Sequence, residues 1–148
     1  MFNSMNVPTI LHVDDDENDR LLLSIAQRRA NIRANLVAAE DGEQAIAYLQ
    51  NSDTASSAGP APATDLVLLD LKLPFKSGFE VLEWIRAQDR LQDMPVIILS
   101  SSEHESDRQR ALKSGANFYV IKPLAVEGMV EMMKQIHANW LSPVSLSA

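Results

Sequence analysis

The 148-residue chain contains no cysteine, which excludes a disulfide scaffold and thiol chemistry. No apolar run approaches the roughly 20 residues needed to span a bilayer, and the opening residues 1–4 lack the basic and apolar regions of a secretory signal. Basic residues are also scarce, since 13 Lys and Arg stand against 20 Asp and Glu and give a net charge of −7. This charge disfavours nucleic acids and anionic membranes as partners, because both are polyanions. Together these features predict a cytoplasmic protein.

The overall composition is that of an ordinary globular protein, with 46% hydrophobic and 22% charged residues. The length predicts one domain over residues 1–148. Residues 51–64 are rich in Ser, Ala, Gly and Pro without any period, which predicts a mobile surface loop. Residues 141–148 are predicted to form a short C-terminal tail after the last helix.

Short apolar runs alternate with helix-length amphipathic segments along the chain, a pattern typical of βα units wound around a parallel sheet. The runs predict strands at residues 9–13, 36–39, 65–69, 95–99 and 118–121. Helices are predicted between and after them, and the last one carries apolar residues at spacings of three and four from Val126 to Trp140. The sequence therefore predicts an α/β fold around one sheet.

Polar residues stand at or just beyond the carboxyl ends of four of these runs: Asp14-Asp15-Asp16, Asp70, Ser100 and Lys122. The carboxyl ends of parallel strands gather at one edge of a sheet, where open α/β folds bind ligands. Adjacent carboxylates repel one another, and their hard oxygens suit Mg²⁺, which takes one or two carboxylates plus a phosphate oxygen. The set predicts a crevice for a divalent cation and a phosphoryl group.

Asp70 closes a run of Leu and Val, where a carboxylate is costly unless it is exposed or paired. Pro74 and Gly78 shape a loop that would bring the main chain, including the Lys72 carbonyl, toward the same place. A metal beside Asp70 would neutralise it enough for an anionic phosphodonor to approach. As a nucleophile, Asp70 would form an aspartyl phosphate.

Each candidate also has an ordinary structural explanation when it is taken alone. Asp16 can cap a helix, with Asp19 completing a weak capping box, and Ser100 can be a helix N-cap. A lone lysine such as Lys122 is more often solvated, and Asp70 could simply open a loop. Their joint position at four strand ends favours the phosphoryl interpretation.

These residues together resemble the receiver domain of two-component response regulators, over residues 8–140. The resemblance rests on an acidic pair at Asp14-Asp15 and on a phosphoacceptor at Asp70 within LLDLKLP. It also rests on the family's Ser/Thr position at Ser100, its Lys-Pro at Lys122-Pro123 and its aromatic switch position at Tyr119. The resemblance implies a flavodoxin-like, doubly wound (βα)5 fold with a five-stranded parallel sheet of order 2-1-3-4-5.

The resemblance also implies a reaction, in which a histidine kinase presents a phosphohistidine and Asp70 takes its phosphoryl group. Mg²⁺ would be held by Asp15, Asp70 and the Lys72 carbonyl, and Asp14 would support it through water. The protein would be a phosphoacceptor with at most slow self-dephosphorylation rather than an enzyme. We further predict that Lys72 and Ser102, each two positions past a site residue, set how long the phosphate lasts.

The implied output is a conformational switch. Lys122 and Ser100 would bind the new phosphate, and movement of Ser100 would let Tyr119 turn inward. That change would shift the face built from the fourth helix, fifth strand and fifth helix between two populations.

A finer resemblance points to phytochrome-associated response regulators, which are stand-alone receivers that pair as homodimers. It rests on the long loop before the third strand, on Gly78-x-Glu80-Val81-Leu82 after LLDLKLP, and on Trp140-Leu141-x-x-Val144. It implies a phytochrome as the kinase and a homodimer through the switching face. His12, where an aliphatic residue is usual, and PFKSG at 74–78 depart from the pattern.

Other interpretations remain open at this point. A chemotaxis-type or phosphorelay receiver would share every site residue. An aspartyl-phosphate hydrolase of the haloacid dehalogenase type needs a second Asp where Lys72 stands, and a flavodoxin-like electron carrier needs a phosphate-binding loop where the acidic run stands. A metal-free docking module would be expected to lack Asp15, Asp70 or Lys122, and all are present.

Overall fold

The structure is a computed structural model that describes residues 7–52 and 63–141. Its five strands are parallel and ordered β2-β1-β3-β4-β5, which confirms the predicted sheet. The strands are β1 Thr9–Val13, β2 Asn35–Ala39, β3 Leu66–Leu69, β4 Val96–Ser100 and β5 Phe118–Ile121. Residues 53–62 of the predicted loop and 142–148 of the predicted tail lie outside the described residues.

The helices connect successive strands and follow the last one. They are α1 Glu17–Arg29, α2 Gly42–Ser52, α3 Gly78–Ala87, α4 Glu105–Lys113 and α5 Val126–Ile136, with a 3-10 turn at Asp89–Leu91 and a π-helical turn at His137–Leu141. Within the described ranges, no helix is both long enough and apolar enough to cross a membrane.

Several element boundaries differ from the predicted ones by one or two residues. Strand β2 begins at Asn35 instead of residue 36, and β4 covers Val96–Ser100 instead of 95–99. Helix α2 continues through Ser52, so the predicted loop at 51–64 begins two residues too early. Asp65 lies outside β3 because its Oδ2 accepts a hydrogen bond from Thr9 N at 2.9 Å. Helix α4 begins at Glu105, after a turn in which the Ser102 hydroxyl accepts a hydrogen bond from His104 N.

The structure confirms the predicted N-cap of α1 at Asp16 but does not show the predicted capping box with Asp19. Asp16 Oδ1 accepts from Asn18 N at 2.8 Å and from Asp19 N at 3.2 Å. The reciprocal bond of a capping box is replaced, because Asp16 N donates to Asp14 Oδ1 and Asp19 Oδ2 binds Lys122. The prediction of Asp19 as a capping-box partner is therefore wrong.

The sheet separates two hydrophobic cores. Because side chains alternate along a strand, Leu11 and Val13 face α2 and α3, whereas Ile10 faces α1 and α5. Met132, which falls off the main apolar line of α5, is buried in the second core, so it belongs to the interior and not to an exposed apolar surface. With both faces covered by helices, the carboxyl edge of the sheet remains open for a site.

Candidate functional site

Backbone pairing carries the predicted carboxylates to one place at the carboxyl edge of the sheet. Asp14 N donates to Ala39 O at 3.0 Å and Asp70 N donates to Val13 O at 3.0 Å, so both residues extend the strand ladders by one step. Asp14 is fully buried and Asp70 is 7% exposed, whereas Asp15 is exposed. Carboxylate oxygens of Asp14, Asp15 and Asp70 all lie within 4.8 Å of one another.

Lys122 reaches the same cluster from the end of β5. Its backbone N–H donates to Ser100 O at 2.8 Å, which extends the β4–β5 pairing. Its Nζ lies 2.7 Å from Asp19 Oδ2 and 2.9 Å from both Asp70 Oδ2 and Asp14 Oδ2. Burial opposes the charge, but the bonds to Asp19, Asp70 and Asp14 outweigh it and raise the pKa of Lys122. The ammonium is therefore fixed as a cation beside Asp70.

The environment of Asp14 is that of a carboxylate short of partners. Burial raises its pKa, while the backbone hydrogen bond from Asp16 and the nearby Lys122 act in the opposite direction. Oδ1 accepts from Asp16 N at 3.0 Å. Among the described residues, Oδ2 receives no directed hydrogen bond, although Lys122 Nζ approaches it at 2.9 Å as an ion pair. The Lys122 ammonium is therefore the group that offsets the buried charge on Oδ2.

The loop after β3 is held tightly against Asp70. Gly78 N donates to Leu71 O at 2.9 Å, and a Cβ at Gly78 would lie 2.1 Å from Asp70 O. Only glycine fits there, because a main-chain oxygen cannot move aside as a side-chain tip can. Lys72 N lies 3.4 Å from Asp70 Oδ1, a long hydrogen bond, and Lys72 lines the cleft above the cluster.

The cleft itself is open and has a volume of about 900 Å³. The residues that line it include four carboxylates, two lysines and an apolar side chain: Asp14, Asp15, Asp19, Asp70, Lys72, Lys122 and Leu124. The structure thus brings together the predicted metal ligands and the predicted lysine.

The predicted switch residues Ser100 and Tyr119 both form hydrogen bonds with Ser102. Ser100 is buried, and its Oγ accepts from Ser102 N at 3.1 Å. The Tyr119 hydroxyl donates to Ser102 O at 2.8 Å. In the described part of the chain, Ser101 and Glu103 line the cleft in place of Ser100 and Ser102. The Ser102 hydroxyl is directed elsewhere, donating to Asp107 Oδ2 at 2.7 Å.

Three residues beside the cluster were not predicted as site residues. Asp19 binds Lys122, and its position on the first turn of α1 was the available signal. Arg20 Nη1 donates to Asp14 O at 2.8 Å, and its Nη2 lies 3.8 Å from Glu40 Oε2. His12 is almost fully buried, and its Nε2 lies 3.8 Å from Asp14 Oδ2. Burial first, then the charges of Lys122 and Arg20, lower the pKa of His12 to about 3, so its ring is neutral.

Comparison with known proteins assigns this arrangement to a family. The family model described as the response regulator receiver domain matches residues 10–134. The chain belongs to this family, which confirms the resemblance to two-component response regulators.

Relatives among the phytochrome-associated regulators are similar over nearly the whole chain. Response regulator Rcp1 from Synechocystis is 32% identical over 100% of this chain and 99% of its own. The phosphorylated cyanobacterial phytochrome response regulator RcpA has a TM-score of 0.80 at 32% identity, covering 92% of this chain and 95% of that one. The Mn²⁺-bound form of Rcp1 has a TM-score of 0.77 at 31% identity, covering 93% and 96%. The predicted likeness to this group is confirmed.

Proposed function

We propose that the protein receives a phosphoryl group on Asp70 from a histidine kinase and transmits the signal by changing a partner-binding surface. The observation that carries this proposal is the position of Lys122 Nζ, 2.9 Å from Asp70 Oδ2 within a cluster of three carboxylates. A fixed ammonium beside a nearly buried carboxylate favours a reaction that builds negative charge at that place. The phosphorylated state of RcpA supports the same chemistry for this chain.

In the proposed reaction, a carboxylate oxygen of Asp70 attacks the phosphorus of the donor phosphohistidine. The new O–P bond forms as the P–N bond breaks, and the departing imidazole takes up a proton from solvent. Lys122 stabilises the charge on the phosphoryl oxygens through its ammonium. Water reaches the cleft from its open side, so slow self-hydrolysis would return Asp70 to its free form.

The cluster fits Mg²⁺ as the metal of this reaction. Asp15 and Asp70 would hold the ion directly, with the Lys72 carbonyl as a further ligand and Asp14 acting through water. The mutual distances of up to 4.8 Å between the carboxylate oxygens support this assignment, as does the Mn²⁺ bound by Rcp1. When bound, the ion offsets the negative charge of the carboxylates, so that an anionic donor can approach.

The proposed output surface combines α4, β5 and α5. Ser100 would leave its bond with Ser102 to contact the phosphoryl group, and Tyr119 would respond through the same residue. Phe118 is 53% and Ile121 47% exposed on the edge strand β5. Exposed apolar residues on an edge strand favour pairing, so we propose a homodimer through this face.

The upstream partner is proposed to be a phytochrome histidine kinase, on the strength of the likeness to RcpA. The proposal includes a cytoplasmic location for the protein. A chemotaxis-type receiver is the competing assignment, and phosphotransfer from a phytochrome kinase compared with a chemotaxis kinase separates the two.

Labelling with acetyl phosphate and Mg²⁺ tests the phosphoacceptor directly. Intact-protein mass spectrometry should find one added phosphoryl group in the wild type and none in Asp70→Asn. Asp89→Asn, which changes an exposed Asp in the 3-10 turn, is the matched control and should label normally. Labelling of a folded Asp70→Asn variant would refute the assignment. Size measurement with and without beryllofluoride and Mg²⁺ then reports whether the α4–β5–α5 face changes its pairing.

A further inference from the structure

Asp19 makes the shortest of the three contacts to the site lysine. Asp19 Oδ2 lies 2.7 Å from Lys122 Nζ, compared with 2.9 Å for Asp70 and Asp14. Its backbone is fixed on the first turn of α1, because Asp16 Oδ1 accepts from Asp19 N. The contact links α1 to the end of β5 across 103 positions of the sequence. It is a hydrogen-bonded ion pair and not an incidental approach of two flexible side chains.

The ammonium of Lys122 is surrounded by three carboxylates in this arrangement. An ammonium has three N–H donors, and three carboxylates lie within 2.9 Å of Nζ. The directed hydrogen bonds go to Asp19 and Asp70. A phosphoryl group on Asp70 would compete with these carboxylates for the ammonium. The bond to Asp19 is the one most open to exchange, because the Asp19 side chain is 31% exposed, compared with 9% for Asp70 and 1% for Asp14.

Asp19 also contributes charge to the cleft, since it lines the same cavity as the acidic cluster. A carboxylate there attracts a divalent cation and repels a phosphoryl dianion. Removing this charge should therefore change the affinities for the two ligands in opposite directions. A general loss of structure would instead weaken the binding of both ligands.

We propose that Asp19 is a positioning residue that holds Lys122 on the α1 side of the cleft and competes with the phosphoryl group for it. Phosphorylation of Asp70 exchanges the Asp19–Lys122 bond for a phosphoryl–Lys122 bond. Asp19 thereby limits how readily Asp70 is phosphorylated. The inference rests on the proposed function of Asp70 and adds a residue that controls it.

The Asp19→Asn variant keeps the size of the side chain and removes its charge. Partly exposed ion pairs contribute modestly, so the expected changes are about two- to fivefold. Beryllofluoride in the presence of Mg²⁺, followed by ¹⁹F NMR, should bind the variant more tightly by about threefold. Mg²⁺ alone, followed by calorimetry, should bind more weakly by about twofold, and labelling by acetyl phosphate at saturating Mg²⁺ should be faster.

Glu17→Gln is the matched control, because Glu17 lies on the same helical turn and is exposed. It should change neither affinity by as much as Asp19→Asn does. The inference is overturned if Asp19→Asn binds beryllofluoride more weakly or loads more slowly, or if Glu17→Gln gives the same changes. If Asp19→Asn binds both ligands and is labelled as the wild type is, this inference is refuted but the proposed function of Asp70 is not. Absence of labelling in the wild type removes the proposed function and the inference with it.

Discussion

Replacement of Lys122 by methionine should destabilise the protein and make its stability depend strongly on divalent cations. The ammonium is 12% exposed and faces Asp14 and Asp70, whose side chains are 1% and 9% exposed. Removing one partner of a buried ion pair costs about 3–5 kcal/mol. We expect about 3 kcal/mol, the lower end, because Asp14, whose pKa burial already raises, can take up a proton.

Mg²⁺ should restore much of this loss, because it supplies positive charge at the same carboxylates. A ligand at about 100 times its Kd stabilises the native state by about 2.7 kcal/mol. The variant should also bind Mg²⁺ more tightly than wild type, since the repelling ammonium is gone. Its unfolding midpoint should therefore rise more on adding Mg²⁺ than the midpoint of the wild type.

Urea denaturation in EDTA and in saturating Mg²⁺ measures both effects, and fluorescence of the half-buried Trp84 and Trp140 reports unfolding. The matched control is Asp14→Asn combined with Lys122→Met, which removes both members of the Asp14–Lys122 pair. It should be more stable in EDTA than Lys122→Met alone, because no uncompensated buried Asp14 charge remains. Wild-type stability of Lys122→Met in EDTA, or an equal Mg²⁺ response in both proteins, would refute the reasoning.

Two further predictions concern residues next to the cluster. Gly78→Ala should lower the free energy of unfolding by at least about 1–3 kcal/mol, because its Cβ would lie 2.1 Å from Asp70 O; an unchanged urea midpoint would contradict this. His12 is neutral in the fold with a pKa of about 3, against 6.5 when unfolded. The unfolded chain therefore binds more protons between these values, and stability must fall as the pH drops through this window. From pH 7 to pH 4.5 the wild type should lose about 2–3 kcal/mol more than His12→Leu in EDTA, and parallel pH profiles would show the reasoning to be wrong.

The strands and the site cluster were predictable because both follow from local pattern. Apolar runs locate the strands within one or two residues, and a parallel sheet brings their carboxyl ends to one edge. Asp14, Asp15, Asp70 and Lys122 could therefore be placed together without knowledge of any side-chain conformation. The helix order followed from the same alternation.

The remaining features depend on side-chain direction and depth, which sequence spacing does not encode. Asp19 satisfies the pattern of a capping residue, yet its side chain turns toward a lysine at the other end of the chain. Ser102 lies two positions past Ser100, but its hydroxyl bonds Asp107 on α4. His12 could be located in β1, whereas its nearly complete burial depends on α1 and α5 closing over that face.

The two contacts at Ser102 have a mechanical consequence. Its N–H is engaged by Ser100 and its carbonyl by Tyr119, and these two groups flank a single α-carbon with only two torsions between them. Rotation about either torsion changes the direction of one group relative to the other. Ser102 thus joins the buried hydroxyl of Ser100 to the half-buried ring of Tyr119 through the backbone of a single residue.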